Sequence, residues 1–174
     1  MWTHLEGFKH LSEEEFDLLI DSSALVTVLV GASDGELDRE EHLWSEKLMR
    51  TRAYSSVKYL NDFYRVAAEG FWVRVQAIMA HYPQGIVPRN EAIFQKLSGL
   101  NAIFAKLEPK VAFHLYKGLC ALAEEVAEAS GGFLRIGAVN REESKWVDLP
   151  MLTAIPAPPD IALEEEEEMS EENQ

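Results

Sequence analysis

Phe16, Leu19, Ile20, Ser23, Val26, Thr27 and Val30 recur at three- and four-residue intervals, the spacing of one face of an α-helix. Ser12 with Glu15 three residues later forms a capping box ahead of them, and Glu13 and Glu14 suit the positive end of a helix dipole. Val26, Thr27, Val28 and Val30 are strand formers, so a strand is the competing assignment. The cap, the length of the pattern and a helix-compatible counterpart at Ala121–Ala129 decide for helix. Gly35 is expected to end this helix in the left-handed conformation, and Asp38 with Glu41 caps the next, which runs to about Arg52. Val57, Leu60, Tyr64, Ala67, Phe71, Val75, Ile78 and Tyr82 predict a long helix over 56–82, with Gly70 as a point of kinking or close approach. Residues 83–88, bounded by two prolines, read as a turn. Asn90 then caps a helix striped by Ile93, Phe94, Leu97, Leu100, Ile103, Phe104 and Leu107. Pro109 suits the first turn of a further helix reaching Ser130, and Asn140 opens a short one limited by Pro150. The expected fold is an all-α bundle of six or seven helices without a sheet. It occupies residues 1–155, followed over 156–174 by a proline-rich exit and a disordered acidic tail.

The pattern also repeats. Ala24-Leu25 stands as far before Ala32-Ser33 as Ala121-Leu122 stands before Ala129-Ser130. Each copy continues to a cap followed by Arg-Glu-Glu: Asp38 to Glu41, and Asn140 to Glu143. Trp44 and Trp146 lie at matching positions beyond, where they read as core anchors. The second loop is longer, running through Gly131 and Gly132. The bundle is therefore expected to contain two related helix–loop–helix corners.

Charge refines this picture. The chain of 174 residues carries a formal net charge of −14, and eight acidic residues with no basic one lie from Asp160 onward. Such a surface repels phosphate backbones, which argues against a nucleic-acid partner. The run Glu164–Glu168 reads as a solvated tail that a basic partner is able to use. Cys120, the sole cysteine, excludes an intrachain disulfide and a cysteine metal cluster, and its apolar neighbours predict a buried thiol. The N-terminal residues lack the basic and apolar regions of an export signal, and no apolar run reaches membrane-spanning length. The expectation is a cytoplasmic protein.

Candidate chemistry concentrates in the first corner. Asp34, Glu36 and Asp38 alternate along the turn, with Glu40 and Glu41 close behind, an oxygen-rich set of the kind that Ca²⁺ or Mg²⁺ takes. It is not an EF-hand loop, because glycine stands second rather than sixth and Ser45 holds the twelfth position. Helix capping by Gly35, Asp38 and Glu41 accounts for much of the same pattern. Gly31-Ala32-Ser33-Asp34-Gly35 matches the nucleophile elbow of serine hydrolases, with His81 or His114 as base and Asp62 as acid, but that mechanism requires a strand before the serine. The histidines His4, His10, His42, His81 and His114 show no metal-ligand spacing; His42, one turn after Asp38, is placed to join a site there but reads first as an exposed helix residue. Gly132–Gly137 has the spacing of a phosphate loop but lacks its lysine and hydroxyl residue.

The string Ala32-Ser33-Asp34-Gly35-Glu36-Leu37-Asp38-Arg39-Glu40-Glu41, between an apolar and an amphipathic helix, resembles the signature of the tellurite-resistance TerB-like family. The resemblance spans roughly residues 13–149, and its specific part is about fifteen residues around the first corner. It implies a compact all-helical fold with paired corners and a divalent-metal site. The ligands carried over are Asp34, Glu36 and Asp38, with Glu41 as cap or fourth ligand. The second corner departs from the signature, keeping only Asn140, Glu142 and Glu143. The function that the resemblance implies is that of a non-catalytic, stress-associated domain that binds a divalent cation, a protein partner, or both. The alternatives are a metal-free scaffold for a basic partner and a small hydrolase using Ser33.

Overall fold

A computed structural model of the chain describes residues 7–32, 57–131 and 145–161, together with Leu5, Lys47 and Thr51. Six α-helices form the described body: α1 (Glu13–Gly31), α2 (Asn61–Ala68), α3 (Phe71–His81), α4 (Ile86–Ser98), α5 (Leu100–Phe104) and α6 (Pro109–Gly131). A 3-10 turn, Lys58–Leu60, leads into α2, and single helical turns occur at 145–147 and 159–161. The described residues contain no strand, and the all-α expectation holds.

The architecture centres on α1. Every residue from Ser22 to Gly31 is buried, and α2 to α6 all pack against this helix, α6 and α3 most extensively. A helix enclosed on all sides has no polar face to preserve, which is why valine and threonine crowd its second half without making it a strand. Two of its buried hydroxyls are satisfied within the helix: Ser22 Oγ donates to the Leu19 carbonyl at 2.6 Å and Thr27 Oγ1 to the Ser23 carbonyl at 2.9 Å. The capping box is formed as the sequence predicts, with the Glu15 N–H donating to Ser12 Oγ and the Ser12 N–H to Glu15 Oε2.

At the far end, α1 stops sooner than expected. Ala32, not Gly35, is the C-cap, and its N–H returns to the Val28 carbonyl. The segment expected as one helix over 56–82 is two. Gly70 has φ +67°, the left-handed conformation that favours glycine, and the chain breaks there between α2 and α3. Arg74 holds the break, donating from Nη1 to the carbonyls of Ala67 at 3.1 Å and Glu69 at 2.6 Å. The next helix starts earlier than expected, at Ile86 rather than after Asn90. Pro88 fits its first turn, where the missing N–H would have had no intrahelical partner. Its stripe then divides at Gly99, so that Leu100–Phe104 forms the separate α5. The helix opened by Pro109 runs to Gly131 as predicted.

The last described segment crosses the ends of α4 and α5. Asn101 clamps it from both sides, donating Nδ2 to the Met151 carbonyl at 2.8 Å and accepting the Thr153 N–H at Oδ1 at 2.8 Å. Ile155 packs against the core, and Ile161 is buried. Phe63 anchors the opposite side of the core. Its ring stacks on Phe8 at 5.2 Å and meets Tyr64 at 5.4 Å and Phe16 at 6.3 Å edge-to-face.

Candidate functional site

The first-corner residues Asp34, Glu36, Asp38 and Glu41, and with them Ser33, His42 and Trp44, lie outside the described residues. So do Asn140, Glu142 and Glu143 of the second corner. The helices α1 and α6 that lead into these two segments are described.

Helix α1 delivers the chain to the first corner at Ala32, which is fully buried. Helix C-termini carry partial negative charge, and the last turn of α1 contains no basic residue of its own. The compensating cation comes from α4. Arg89, only 6% exposed, donates from Nη2 to the Ala32 carbonyl, and its Nη1 lies 3.6 Å from Met79 Sδ. A guanidinium is therefore buried against the carbonyl of Ala32, the residue two before Asp34 in the chain. Sequence reasoning missed it, although the signal is present: Arg89, Ile93 and Leu97 are four residues apart and all three are buried. A charged residue on an apolar stripe announces a buried polar contact.

The same helix packs against Trp146. Phe94 meets the Trp146 ring edge-to-face at 6.0 Å, and Lys145 Nζ stands 4.7 Å from the centre of that ring. Trp146 is thus packed against the core, as expected of an anchor. Asn90, expected to cap α4, instead lies buried inside it. Among the described residues, Asn90 Oδ1 and Trp146 Nε1 make no hydrogen bond.

The histidines expected to serve a hydrolase are occupied elsewhere. His81 Nδ1 is 2.8 Å from the Ala77 carbonyl, and His114 packs against Tyr59 and Phe113. Asp62 pairs with Arg65 at 2.7 Å. The chain before Ser33 is helix from Glu13 to Gly31, where a nucleophile elbow requires a strand. Among the described residues, no three His, Cys, Asp or Glu side chains come together as a metal-binding group, and no helix is long and apolar enough to cross a membrane. Cys120 is half-buried rather than buried. Burial raises its thiol pKa, and a hydrogen bond with Tyr116 lowers it by less. A narrow cleft between α1, α2 and α6, lined by Leu19, Ser22, Phe63, Leu115 and Leu119, has room for about one water molecule.

Asp21 forms a second polar junction, 3.3 Å from Arg74 Nε, with its carboxyl pKa raised by burial and opposed by the Arg74 charge. A raised carboxyl pKa adds stability that is complete below the unfolded value and is lost as pH rises through the folded value. Glu15 has the opposite sign: its hydrogen bonds with Lys106 and the Ser12 N–H lower its pKa, so its contribution is lost on acidification. Asp21→Asn removes the opposing contribution. Urea unfolding between pH 7 and pH 4 is expected to show the variant losing stability more steeply than the parent as pH falls. Parallel pH profiles would contradict this assignment.

Neither a family model nor a curated protein nor a solved structure matches the chain.

Proposed function

We propose that the chain is a non-catalytic, cytoplasmic, stress-associated domain of the tellurite-resistance TerB-like kind, binding a divalent cation, a protein partner, or both at its acidic first corner. Asp34, Glu36 and Asp38 are the ligands, with Glu41 as cap or fourth ligand, and Ca²⁺ or Mg²⁺ suits their hard oxygens. The observation that supports this reading is the buried Arg89 contact with the Ala32 carbonyl. A corner rooted on a fixed buried contact converts a change of loop charge into a change of strain on α1 and α4, where a freely hinged loop would absorb it. Phe94 on the same α4 carries the connection to Trp146. Neutralising the three carboxylates relieves their mutual repulsion and biases the angle at which the second helix leaves the corner.

The test is calorimetric titration of the chelator-treated full chain with Ca²⁺, Mg²⁺, Mn²⁺ and Zn²⁺, beside an Asp34→Asn, Asp38→Asn double variant. Saturable binding by the parent, lost in the variant, is expected. No binding, or binding that the variant keeps, reduces Asp34 and Asp38 to helix caps. Arg89 also favours a second reading, a metal-free scaffold whose acidic face takes a basic partner, because the guanidinium already supplies positive charge at the corner's root. An oligolysine peptide whose binding persists in chelator and weakens with salt would mark that case.

A further inference from the structure

The charge of this chain is overwhelmingly negative, yet α6 carries a basic strip. Lys110, His114 and Lys117 fall at i, i+4 and i+7 of the helix and so share one face. Tyr59, exposed beside Lys58 in the 3-10 turn before α2, lies across this face. Its ring is 5.4 Å from Lys110 Nζ and 5.9 Å from the His114 ring, and its hydroxyl reaches the Lys110 carbonyl at 3.5 Å. Lys58, Lys110 and Lys117 are all exposed, and none makes an ion pair among the described residues. By contrast, Lys106, just before α6, is engaged by Glu15. Glu108 and Glu124 on either side bound the strip along the chain. Three exposed lysines beside an exposed aromatic ring form a surface suited to a flexible acidic peptide: the lysines supply charge, and tyrosine and histidine supply apolar contact to the glutamate stems.

We propose that this strip is a docking surface for an acidic peptide and that its resident occupant is the chain's own C-terminal run, Glu164–Glu168 with Glu171 and Glu172. Two observations favour the chain's own tail over a foreign peptide. The first is charge: no other stretch of the chain has five consecutive acids, and the tail contains no basic residue to oppose the lysines. The second is reach. The last described residue is Ile161, and residues 162–174 extend up to about 45 Å. Glu168 and Glu172 lie up to about 25 Å and about 38 Å of chain beyond Ile161, more than the radius of gyration of about 15 Å for a domain of this size, so the acids sweep a large part of its surface. Covalent attachment holds the acids at an effective concentration in the millimolar range, which individually weak exposed ion pairs need if they are to be populated. An acidic partner reaches the strip only by displacing the tail.

The experiment places a nitroxide at Ser170→Cys in a Cys120→Ser background of the full chain and reads amide broadening in ¹⁵N-labelled protein. Broadening is expected at Tyr59, Lys110, His114 and Lys117 in low salt. It is expected to be lost near 1 M salt, where the Debye length is about 3 Å. It is also expected to be lost in a Lys58→Gln, Lys110→Gln, Lys117→Gln variant and when Glu164–Glu168 are changed to glutamine. Broadening that is absent, centred elsewhere, or retained in the lysine variant overturns the proposal. Mixing spin-labelled ¹⁴N chains with unlabelled-tail ¹⁵N chains separates cis from trans, and equal broadening in the mixture overturns the intramolecular assignment.

Discussion

Replacing Arg89 by alanine is expected to lower the stability of the fold by about 3 kcal/mol, read as a fall of about 6–12 °C in Tm. The substitution removes a charge-assisted hydrogen bond, worth about 1.5–3 kcal/mol, and leaves the buried Ala32 carbonyl without this donor. It also empties the space occupied by the guanidinium stem beside Met79. Arg89→Met separates these contributions: it fills most of the volume and avoids burying a charge, but cannot serve the carbonyl. It should therefore fall between the parent and Arg89→Ala. If the two variants unfold with the parent, the contact does not hold the corner's root. The substitution also bears on the proposed cation site. A guanidinium near a bound divalent ion repels it, so Arg89→Met is expected to tighten cation binding. A scaffold that binds no metal shows no such change.

Phe63→Ala is expected to cost about 4 kcal/mol, with Tm falling by about 8–16 °C. Its ring is 3% exposed and meets Phe8, Phe16 and Tyr64 on α1, α2 and the N-terminal segment together. It also lines the cleft between α1, α2 and α6, so truncation joins the vacated volume to space that is already there, instead of leaving a void that neighbours can close. Phe63→Leu retains much of the apolar area and should cost markedly less. Chemical denaturation of the three proteins tests the difference, and equal losses for Ala and Leu would show that the ring contacts, rather than the cavity, carry the energy.

The candidate site was legible in the sequence only as a string of carboxylates. Asp34, Glu36, Asp38 and Glu41 are visible there because acids in a short turn are unusual among apolar helices. Arg89 was not, because its role depends on α4 lying across the end of α1, residues 57 positions apart in the chain. The basic strip on α6 was hidden for a related reason: Lys110, His114 and Lys117 are ordinary surface spacing until Tyr59 arrives from another element.

The helices themselves were mostly determined by local pattern. The Ser12–Glu15 box, the stripe from Phe16 to Val30 and the helix beginning at Pro109 depend on interactions within one or two turns, so they can be read from the residues that make them. Periodicity also gave the all-α class, because no segment alternates as a half-buried strand does. What the pattern left open is where helices break. Apolar spacing runs straight through Gly70 and Gly99, since both sides of each break face the same core. At Gly70 the glycine's left-handed backbone makes the break, and Arg74, four residues on, holds it by donating to the freed carbonyls of Ala67 and Glu69. Tertiary structure decided which helix is central and which cation meets the C-terminal end of α1. Such choices are made between segments distant in sequence, where burial and unpaired charge, rather than local propensity, set the free energy.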